Sequence, residues 1–361
     1  MRYALPSAVF TFIVVLFGVC APGARAEPGP AWAKLGMYNF YDVRTKHAEW
    51  ERILGRKIEF VSVNYGWRAC KHEHYSDGCM NRPWDHRPEM VANAVHYFGG
   101  GDQSMRDRTD VTMVVSVPLA FMSPDEHECD DQRAYEHMQE VIDGRWDRWF
   151  EDVAELAAEA GHGHAIYRLG IEPDGCRPWQ SKNDNYEQYR QAWRHVWKIF
   201  KEVSRESRFD YTGAFRFWQK NPVAGVPNAE ASYPGKGADG VAPPSHLGSD
   251  WVDIISLDQY DSVQKFDRAR RELGNTLFMA KKYQKAFAVP EWGVWSVVED
   301  RAAFIRFMYD WMNTEPAKAG VPLAYHSYFN QPPPFASSLD KNPKSKAEFI
   351  RLFSAGPDMA H

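Results

Sequence analysis

Short apolar runs alternate along this chain with stretches that repeat apolar residues at helical spacing. The runs at 110–119 and 164–170 are almost continuously apolar, as is typical of strands covered on both faces. The stretch 186–203 is amphipathic, with Trp193 and Trp197 on one stripe. The pattern predicts eight strands, at 34–40, 57–63, 110–119, 164–170, 210–217, 251–257, 285–289 and 321–328. It predicts helices at 146–160, 186–203, 266–282, 301–312 and 347–353.

Eight strands separated mostly by helices predict the α/β class, as a (β/α)8 TIM barrel with enlarged loops after its strands. A doubly wound sheet is the alternative, but no glycine-rich phosphate loop follows the first strand. We interpret the Gly-, Pro-, Ala- and Ser-rich stretch 221–248 as a long loop after the fifth strand.

The N-terminus has the features of an export signal. A basic Arg2 precedes the apolar stretch 8–19, and Ala24-Arg25-Ala26 forms an A-x-A cleavage site. We therefore expect a signal peptide over 1–26 and a single domain over 27–361. The apolar stretch is too short for a comfortable membrane span. The sequence predicts a monomeric, secreted or periplasmic protein without stable membrane insertion.

The charge and the cysteines narrow this picture. The net charge of −5 argues against nucleic acid as the partner. Four cysteines remain after the signal peptide, and an even number in an exported chain favours two disulfides. The short spacing makes Cys70 and Cys79 the first pair to consider, which would leave Cys129 with Cys176. The sequence leaves all three connectivities open.

Two glutamates carry the candidate chemistry. Glu172 and Glu291 each follow an apolar run, in HAIYRLGIEPDG and KAFAVPEWGVW, and tryptophans lie close to both. An ionised carboxylate at the end of a buried strand loses hydration, so its presence there needs a reason. In a barrel the carboxyl ends of all strands meet at one face. Paired carboxylates at that face suit glycoside hydrolysis.

Several segments, in order, resemble clan A glycoside hydrolases, and most closely family 26, which contains the β-mannanases. The resemblance covers about residues 160–330, and the segments that carry it are YRLGIEPDGCRPW, the helix YEQYRQAWRHVWKIF, FRFWQKNP, YPG with WVDIISLDQYD, and VPEWG. It implies that Glu172 is the general acid/base and Glu291 the nucleophile. It also implies that Tyr260 contacts the nucleophile, and that hydrolysis retains anomeric configuration, with the carboxyl groups about 5–5.5 Å apart.

One position departs from the family pattern. The family usually has a histidine before its acid/base, whereas this chain has Ile171. That position contacts the sugar beside the scissile bond, so mannan specificity does not carry over. The expected substrate is a β-linked polysaccharide or oligosaccharide, either a plant glycan or a microbial exopolysaccharide.

Further residues are candidates for substrate binding. They share a place near the predicted carboxyl ends of strands, and they are Trp179, Trp218, Trp292, Trp295, His326, Tyr328, Tyr65 and Trp67. Aromatic side chains there suit the apolar faces of sugar rings. Core packing is the alternative for the tryptophans and for Tyr260, and a satisfied barrel histidine is the alternative for His326.

Two histidine-containing segments invite a metal hypothesis. They are CKHEHYSDGC, with His72 and His74, and GHGH, with His162 and His164, but neither has a complete zinc ligand set at recognised spacing. Two carboxylates suffice for the predicted hydrolysis, so we expect no metal and no cofactor. A non-catalytic carbohydrate-binding barrel is the alternative function.

Overall fold

The structure is a computed structural model. It describes residues 31–38, 42–65, 89–120, 131–170, 172, 186–214, 217–220, 224, 226–235, 239–261, 266–295, 300–331 and 337–354. Its strands are β1 (Leu35–Tyr38), β2 (Phe60–Asn64), β3 (Thr112–Val117), β4 (Ile166–Leu169), β5 (Arg208–Gly213), β6 (Ile254–Leu257), β7 (Gln259–Asp261), β8 (Ala286–Val294) and β9 (Leu323–Phe329).

Helices follow most of these strands. They are α1 (Val43–Leu54), α2 (Glu89–Phe98), α3 (Asp131–Ile142), α4 (Asp147–Ala157), α5 (Tyr186–Val203), the short α6 (Asn228–Ala231), α7 (Phe266–Lys282), α8 (Ala302–Ala319) and α9 (Pro343–Phe353). Among these described helices, none has both the length and the apolar character needed to cross a bilayer.

The strands form a closed parallel barrel. From β1 to β6 each strand pairs with the next one along the chain, and β1 closes the ring against β9. Both β6 and β7 pair in parallel with β8, so they are two segments of one barrel strand separated by Asp258. The barrel therefore has eight strand positions, and the prediction of a (β/α)8 TIM barrel is confirmed.

Strand β8 is longer than the predicted strand 285–289. It continues through Pro290 and Glu291 to Val294, with a register irregularity between Val289 and Trp292 where it pairs with β9. Proline has no backbone N–H to offer a ladder, and it is accommodated in sheets at such irregularities. Glu291 consequently lies within a strand, whereas the sequence placed it after one.

Other boundaries differ for local reasons. The fifth strand ends at Gly213 rather than at 217, and a Cβ on Gly213 would lie 2.0 Å from the Phe217 ring. Helix α8 continues past the predicted end at 312 and ends at Gly320, which has a left-handed backbone. The periodicity did not single out the helices α1, α2 and α3.

The barrel interior changes character along its axis. Its lower layer is apolar apart from the buried Asp210 on β5, and its apolar members are Phe60, Val114, Ile166, Ile254 and Ala288, together with the Tyr325 ring. Above it lie Ser62, Ser116, Arg168, Thr212, Ser256 and Ser327, all of them buried. A polar layer inside a barrel needs hydrogen bonds to be stable, so its bonding pattern shows what it supports.

Candidate active site

Glu291 lies at the carboxyl-end face of the barrel and is held on both of its oxygens. Its side chain accepts a hydrogen bond of 2.6 Å from Arg168 Nη1 on Oε1 and one of 2.9 Å from Tyr260 on Oε2. The residue is 7% exposed, so these donors replace most of its hydration. Charge-assisted bonds of this kind are short and directional, so they fix the orientation of the carboxylate.

Arg168 is the cation beneath this site. It lies on β4 with no exposed surface and also donates from Nη2 to Asp258 Oδ2 at 2.5 Å. Burial acts to lower the pKa of this guanidinium, but the charges of Asp258 and Glu291 outweigh it and hold the pKa above its usual range. Arg168 therefore stays charged and joins two carboxylates across the barrel.

Asp258 occupies the break between β6 and β7. Burial holds the pKa of Asp258 well above its usual range, against the Arg168 charge and with the Glu291 charge adding to the increase. Its Oδ1 atom is buried and has no hydrogen-bond partner among the described residues. A proton on that oxygen would remove the buried charge and leave Arg168 to neutralise Glu291.

Tyr260 is the second donor to Glu291. It lies on β7, with its ring in a cluster with Tyr38 and Phe329. Burial, followed by the charge of Glu291, holds the pKa of the Tyr260 hydroxyl well above its usual range. The hydroxyl therefore stays protonated and donates a hydrogen bond to the Glu291 carboxylate.

Glu172 is positioned by its backbone just beyond β4. Its φ of 51° lies in the left-handed region, and its N–H donates to the Thr212 carbonyl at 3.2 Å. Gly170 is also left-handed, and the Tyr189 hydroxyl donates to the carbonyls of Leu169 and Gly170 at 3.1 and 2.9 Å. A non-glycine residue in this region is strained and clusters at functional sites in proteins.

Electrostatics relate Glu172 to the other carboxylates. Its charge adds to burial and to the Glu291 charge in raising the pKa values of both Asp258 and Tyr260. The Glu172 carboxyl is therefore within electrostatic range of the two residues that flank Glu291. The structure thus brings Glu172, Glu291 and Tyr260 to one face of the barrel.

Among the described residues of this region, Trp295 has an exposed aromatic side chain. It follows β8, is 37% exposed, and stands edge-on to Tyr260 with 5.4 Å between ring centroids. An exposed indole beside Tyr260, the donor to Glu291, is suited to stack on a sugar ring.

Four other predicted binding residues lie buried outside the barrel wall or beside it. Trp292 donates to His326 Nδ1 at 3.0 Å, and His326 Nε2 bonds to the Ala31 carbonyl at 2.8 Å. Burial lowers the pKa of His326 to about 4, which matches this neutral tautomer. Tyr328 donates to the Ser337 carbonyl at 2.9 Å, and Tyr65 stacks on Tyr97. These placements favour the core alternatives.

The remaining predicted residues divide between two groups. Trp218 is half-buried and donates to Thr276 of α7 at 3.0 Å, which also favours packing. Trp179, Trp67, Ile171, all four mature-chain cysteines and the His72–His74 segment lie outside the described residues. His162 is buried, with Nε2 on the Met105 carbonyl at 2.8 Å. Within the described ranges, no cluster of three metal-ligating side chains is present.

Two functional candidates were not identified by the sequence reasoning. Arg168 and Asp210 both interrupt apolar strands, in IYRL and RFDYTG, at positions that face the barrel interior. A charged residue on an inward position of a buried strand is the signal that marks them, because an unpaired charge there is costly.

Asp210 lies deeper than the other carboxylates. It has no exposed surface and accepts hydrogen bonds of 2.5 Å from Ser256 on Oδ1 and from Tyr325 on Oδ2. Burial raises the pKa of Asp210 from 3.8 to about 6, against the charge of Arg168 and these hydrogen bonds. Such a shift means that ionising Asp210 costs the folded state about 3 kcal/mol near neutral pH. Stability alone does not explain a carboxylate here.

No family model and no curated protein matches the sequence. The fold, however, matches many solved structures. The catalytic domain of a GH26 endo-β-1,4-mannanase from Bacillus sp. JAMB-750 is 15% identical, with a TM-score of 0.61 over 91% of this chain and 88% of that one. A GH26 β-mannanase from Bacteroides ovatus is 16% identical, with a TM-score of 0.56 over 90% and 88%.

A third similar structure is GH26C from Muricauda sp. MAR_2010_75. It is 15% identical, with a TM-score of 0.59 over 92% of this chain and 87% of that chain. Matches at identities this low show the fold alone, which is a TIM barrel similar to those of family 26 glycoside hydrolases. The chemistry of this chain has to be argued from its own residues.

Proposed function

We propose that this protein is an exported, retaining glycoside hydrolase that cleaves a β-linked polysaccharide by double displacement. The observation that carries the proposal is the hold on Glu291, whose two oxygens accept from Arg168 and Tyr260 at a barrel face that also bears Glu172. Support for export comes from the signal pattern over 1–26.

In the first step, Glu291 attacks the anomeric carbon. The bond to the departing sugar breaks, and Glu172 gives its proton to the leaving oxygen. The donors on Glu291 hold its carboxylate in one orientation for the attack. A neutral Asp258 would leave the whole charge of Arg168 to Glu291.

In the second step, water replaces the enzyme at the anomeric carbon. Glu172, now ionised, takes a proton from the water as its oxygen attacks, and the bond to Glu291 breaks. Both carboxyl groups return to their starting states. Two inversions at one carbon retain its configuration. Trp295 would stack on a sugar of the bound chain beside Tyr260.

The substrate class follows from two features. An exposed aromatic residue next to the carboxylates suits a chain of pyranose rings. The isoleucine at 171 departs from the histidine usual in family 26, so the range of substrates includes mixed-linkage glucan and microbial exopolysaccharides as well as mannan.

A polysaccharide panel tests the proposal. Purified protein is incubated with mannan, mixed-linkage glucan and exopolysaccharides, and new reducing ends are measured for wild type, Glu172→Gln, Glu291→Gln and the control Glu315→Gln on the exposed surface of α8. We expect both site variants to lose turnover by orders of magnitude and the control to keep it. NMR of the first anomer released should show retention.

Two results would refute the proposal in different ways. Binding to a glycan without turnover by wild type, unchanged in both site variants, would support the carbohydrate-binding barrel. An inverted first product would remove the nucleophile role from Glu291.

A further inference from the structure

Asp210 anchors a chain of hydroxyl groups beneath the candidate active site. The chain runs from Arg168 Nε to Thr212 Oγ1 at 3.2 Å, to Ser256 Oγ at 2.8 Å, and to Asp210 Oδ1 at 2.5 Å. Tyr325 closes it from the other side by donating to Asp210 Oδ2. Each of the five residues is buried.

The direction of this chain depends on the charge of Asp210. Arginine only donates, so the Thr212 hydroxyl accepts from Arg168. An ionised Asp210 only accepts, so in that state Ser256 donates to Asp210 and Thr212 donates to Ser256. The hydroxyl groups of Ser256 and Tyr325 then converge on the carboxylate. A proton on Asp210 supplies a competing donor to Ser256 and removes this polarity.

The same chain connects with Glu291 at its upper end. Arg168 uses Nε for Thr212 and Nη1 for Glu291, and the guanidinium is planar and rigid. Fixing Nε therefore fixes the direction in which Nη1 points. The charged and titratable groups that face Asp210 across the barrel are Arg168 on β4, Tyr325 on β9 and Asp258 after β6.

We propose that ionised Asp210 is a positioning residue: through Ser256 and Thr212 it sets the Arg168 guanidinium against Glu291, and protonation of Asp210 loosens that setting. The expected effect of Asp210 on turnover rests on the proposed function. Its effect on the position of the Arg168 guanidinium does not, and that effect is measurable without substrate.

Activity should then follow the ionisation of Asp210. Burial raises the pKa of Asp210 to about 6, so wild-type kcat should fall as the pH drops through this value. Asp210→Asn keeps the shape and one acceptor but cannot ionise. We expect its kcat at pH 7 to be lower by about tenfold, the difference between a charged and a neutral acceptor, and the step near pH 6 to be absent.

Two further variants separate the chain from general effects of substitution. Thr212→Val removes the hydroxyl that links Arg168 to Ser256 and keeps the charge of Asp210. We therefore expect a similar fall in kcat with KM unchanged. Asp253→Asn is the matched control, because Asp253 is a largely buried carboxylate whose pKa is also raised by burial, but it accepts from the Phe209 N–H at the barrel base. Its kcat and pH profile should equal those of wild type.

The geometric part is tested by NMR on protein labelled with 15N-arginine and without any ligand. The Nε–H signal of Arg168, assigned by its loss in Arg168→Lys, should shift with a midpoint near pH 6 in wild type and in Asp253→Asn. It should not shift there in Asp210→Asn. A signal that stays constant across this range in wild type overturns the proposal.

The two measurements also keep this proposal apart from the proposed function. A titrating Arg168 signal in a protein that hydrolyses no polysaccharide would support the chain and refute the hydrolase. Hydrolysis whose kcat and pH profile are identical in wild type, Asp210→Asn and Thr212→Val would support the hydrolase and refute the chain.

Discussion

The two glutamates of the candidate site are held in opposite ways. Glu291 lies inside the nine-residue strand β8, and its side chain is fixed by donors from β4 and β7. Glu172 lies beyond the four-residue strand β4, on a left-handed backbone that Tyr189 braces through the carbonyls before it. Donors on both oxygens orient the Glu291 carboxylate, and the feature that distinguishes Glu172 is the left-handed main chain that carries it.

This difference matches what the two roles require. A nucleophile has to be aimed at one carbon, and fixed donors on both oxygens achieve this for Glu291. An acid/base has to give and take a proton at the same place twice in each cycle, and a constrained main chain keeps Glu172 at that place. The comparison leads to five predictions, ordered from the largest expected effect to the smallest.

Removing each glutamate should show whether it acts as the nucleophile or as the acid/base. Glu172→Ala and Glu291→Ala are each expected to lose activity by about 10³-fold or more. Azide should enter where the carboxylate was lost, so Glu172→Ala should give a glycosyl azide of retained configuration and Glu291→Ala one of inverted configuration. NMR of the azide products measures this. The same configuration from both variants would contradict the assignment of roles.

Replacing Arg168 should affect the nucleophile side most. Arg168→Lys keeps the charge but loses the planar fork that reaches Glu291, Asp258 and Thr212 together. A small displacement of Glu291 should reduce kcat on the order of 10²-fold. Arg194→Lys is the control, since Arg194 makes a two-pronged contact with Asp239 at 2.9 and 2.8 Å. A near-normal kcat in Arg168→Lys would show that charge alone suffices.

Tyr260→Phe should remove one donor and leave the other. Hydrogen bonds to charged groups contribute about 1.5–3 kcal/mol, so we expect kcat to fall by about 10- to 100-fold. Tyr211→Phe, which removes a 3.0 Å bond to the Ala229 carbonyl on the outer side of the barrel, should lower stability without this loss. Steady-state kinetics and thermal unfolding of both variants measure the difference.

Tyr189→Phe should act on Glu172 alone. Two backbone carbonyls lose their donor, so the turn that carries Glu172 should relax, with a fall in kcat of about tenfold on polysaccharide. A glycosyl fluoride of the same sugar needs little help from an acid in the first step, so its kcat/KM, which reports on that step and not on the attack of water, should be almost unaffected. In Tyr260→Phe both substrates should slow alike. Equal losses on both substrates in Tyr189→Phe would contradict positioning through the backbone.

Trp295→Ala should have the smallest effect. Loss of one stacking surface should raise KM by about 2- to 10-fold with little change in kcat, since aromatic stacking contributes about 0.5–1.5 kcal/mol. The exposed Phe278 on α7 supplies the control Phe278→Ala, for which KM should not change. An unchanged KM in Trp295→Ala would exclude Trp295 from the cleft.

The sequence predicted the barrel because its strands and helices have strong, separate periodicities. It also indicated both glutamates, since apolar runs ending in a carboxylate are conspicuous. Periodicity did not reveal that β8 continues past Pro290, because proline normally argues against a strand. Trp292 and His326 are buried by contacts with α9 and with Ala31, which are distant from them in sequence. Pattern alone cannot predict such contacts.

The polar interior was the least predictable part. Arg168, Asp210 and Asp258 come from three different strand positions, and their meaning lies in how they meet. Each looks like an isolated exception to an apolar run. Only the strand pairing that sets β4 beside β5, and β5 beside β6, brings these three residues into one hydrogen-bonded group.

Charge balance in this group has a consequence for inhibition. The Glu291 carboxylate lies where the anomeric carbon is proposed to react, and the charge of Glu172 acts on the same surroundings. A carboxylate at that place suits the oxocarbenium-like state through which a glycosidic bond breaks. Sugar-shaped amines that carry a proton on the ring should therefore bind more tightly than neutral analogues of the same shape.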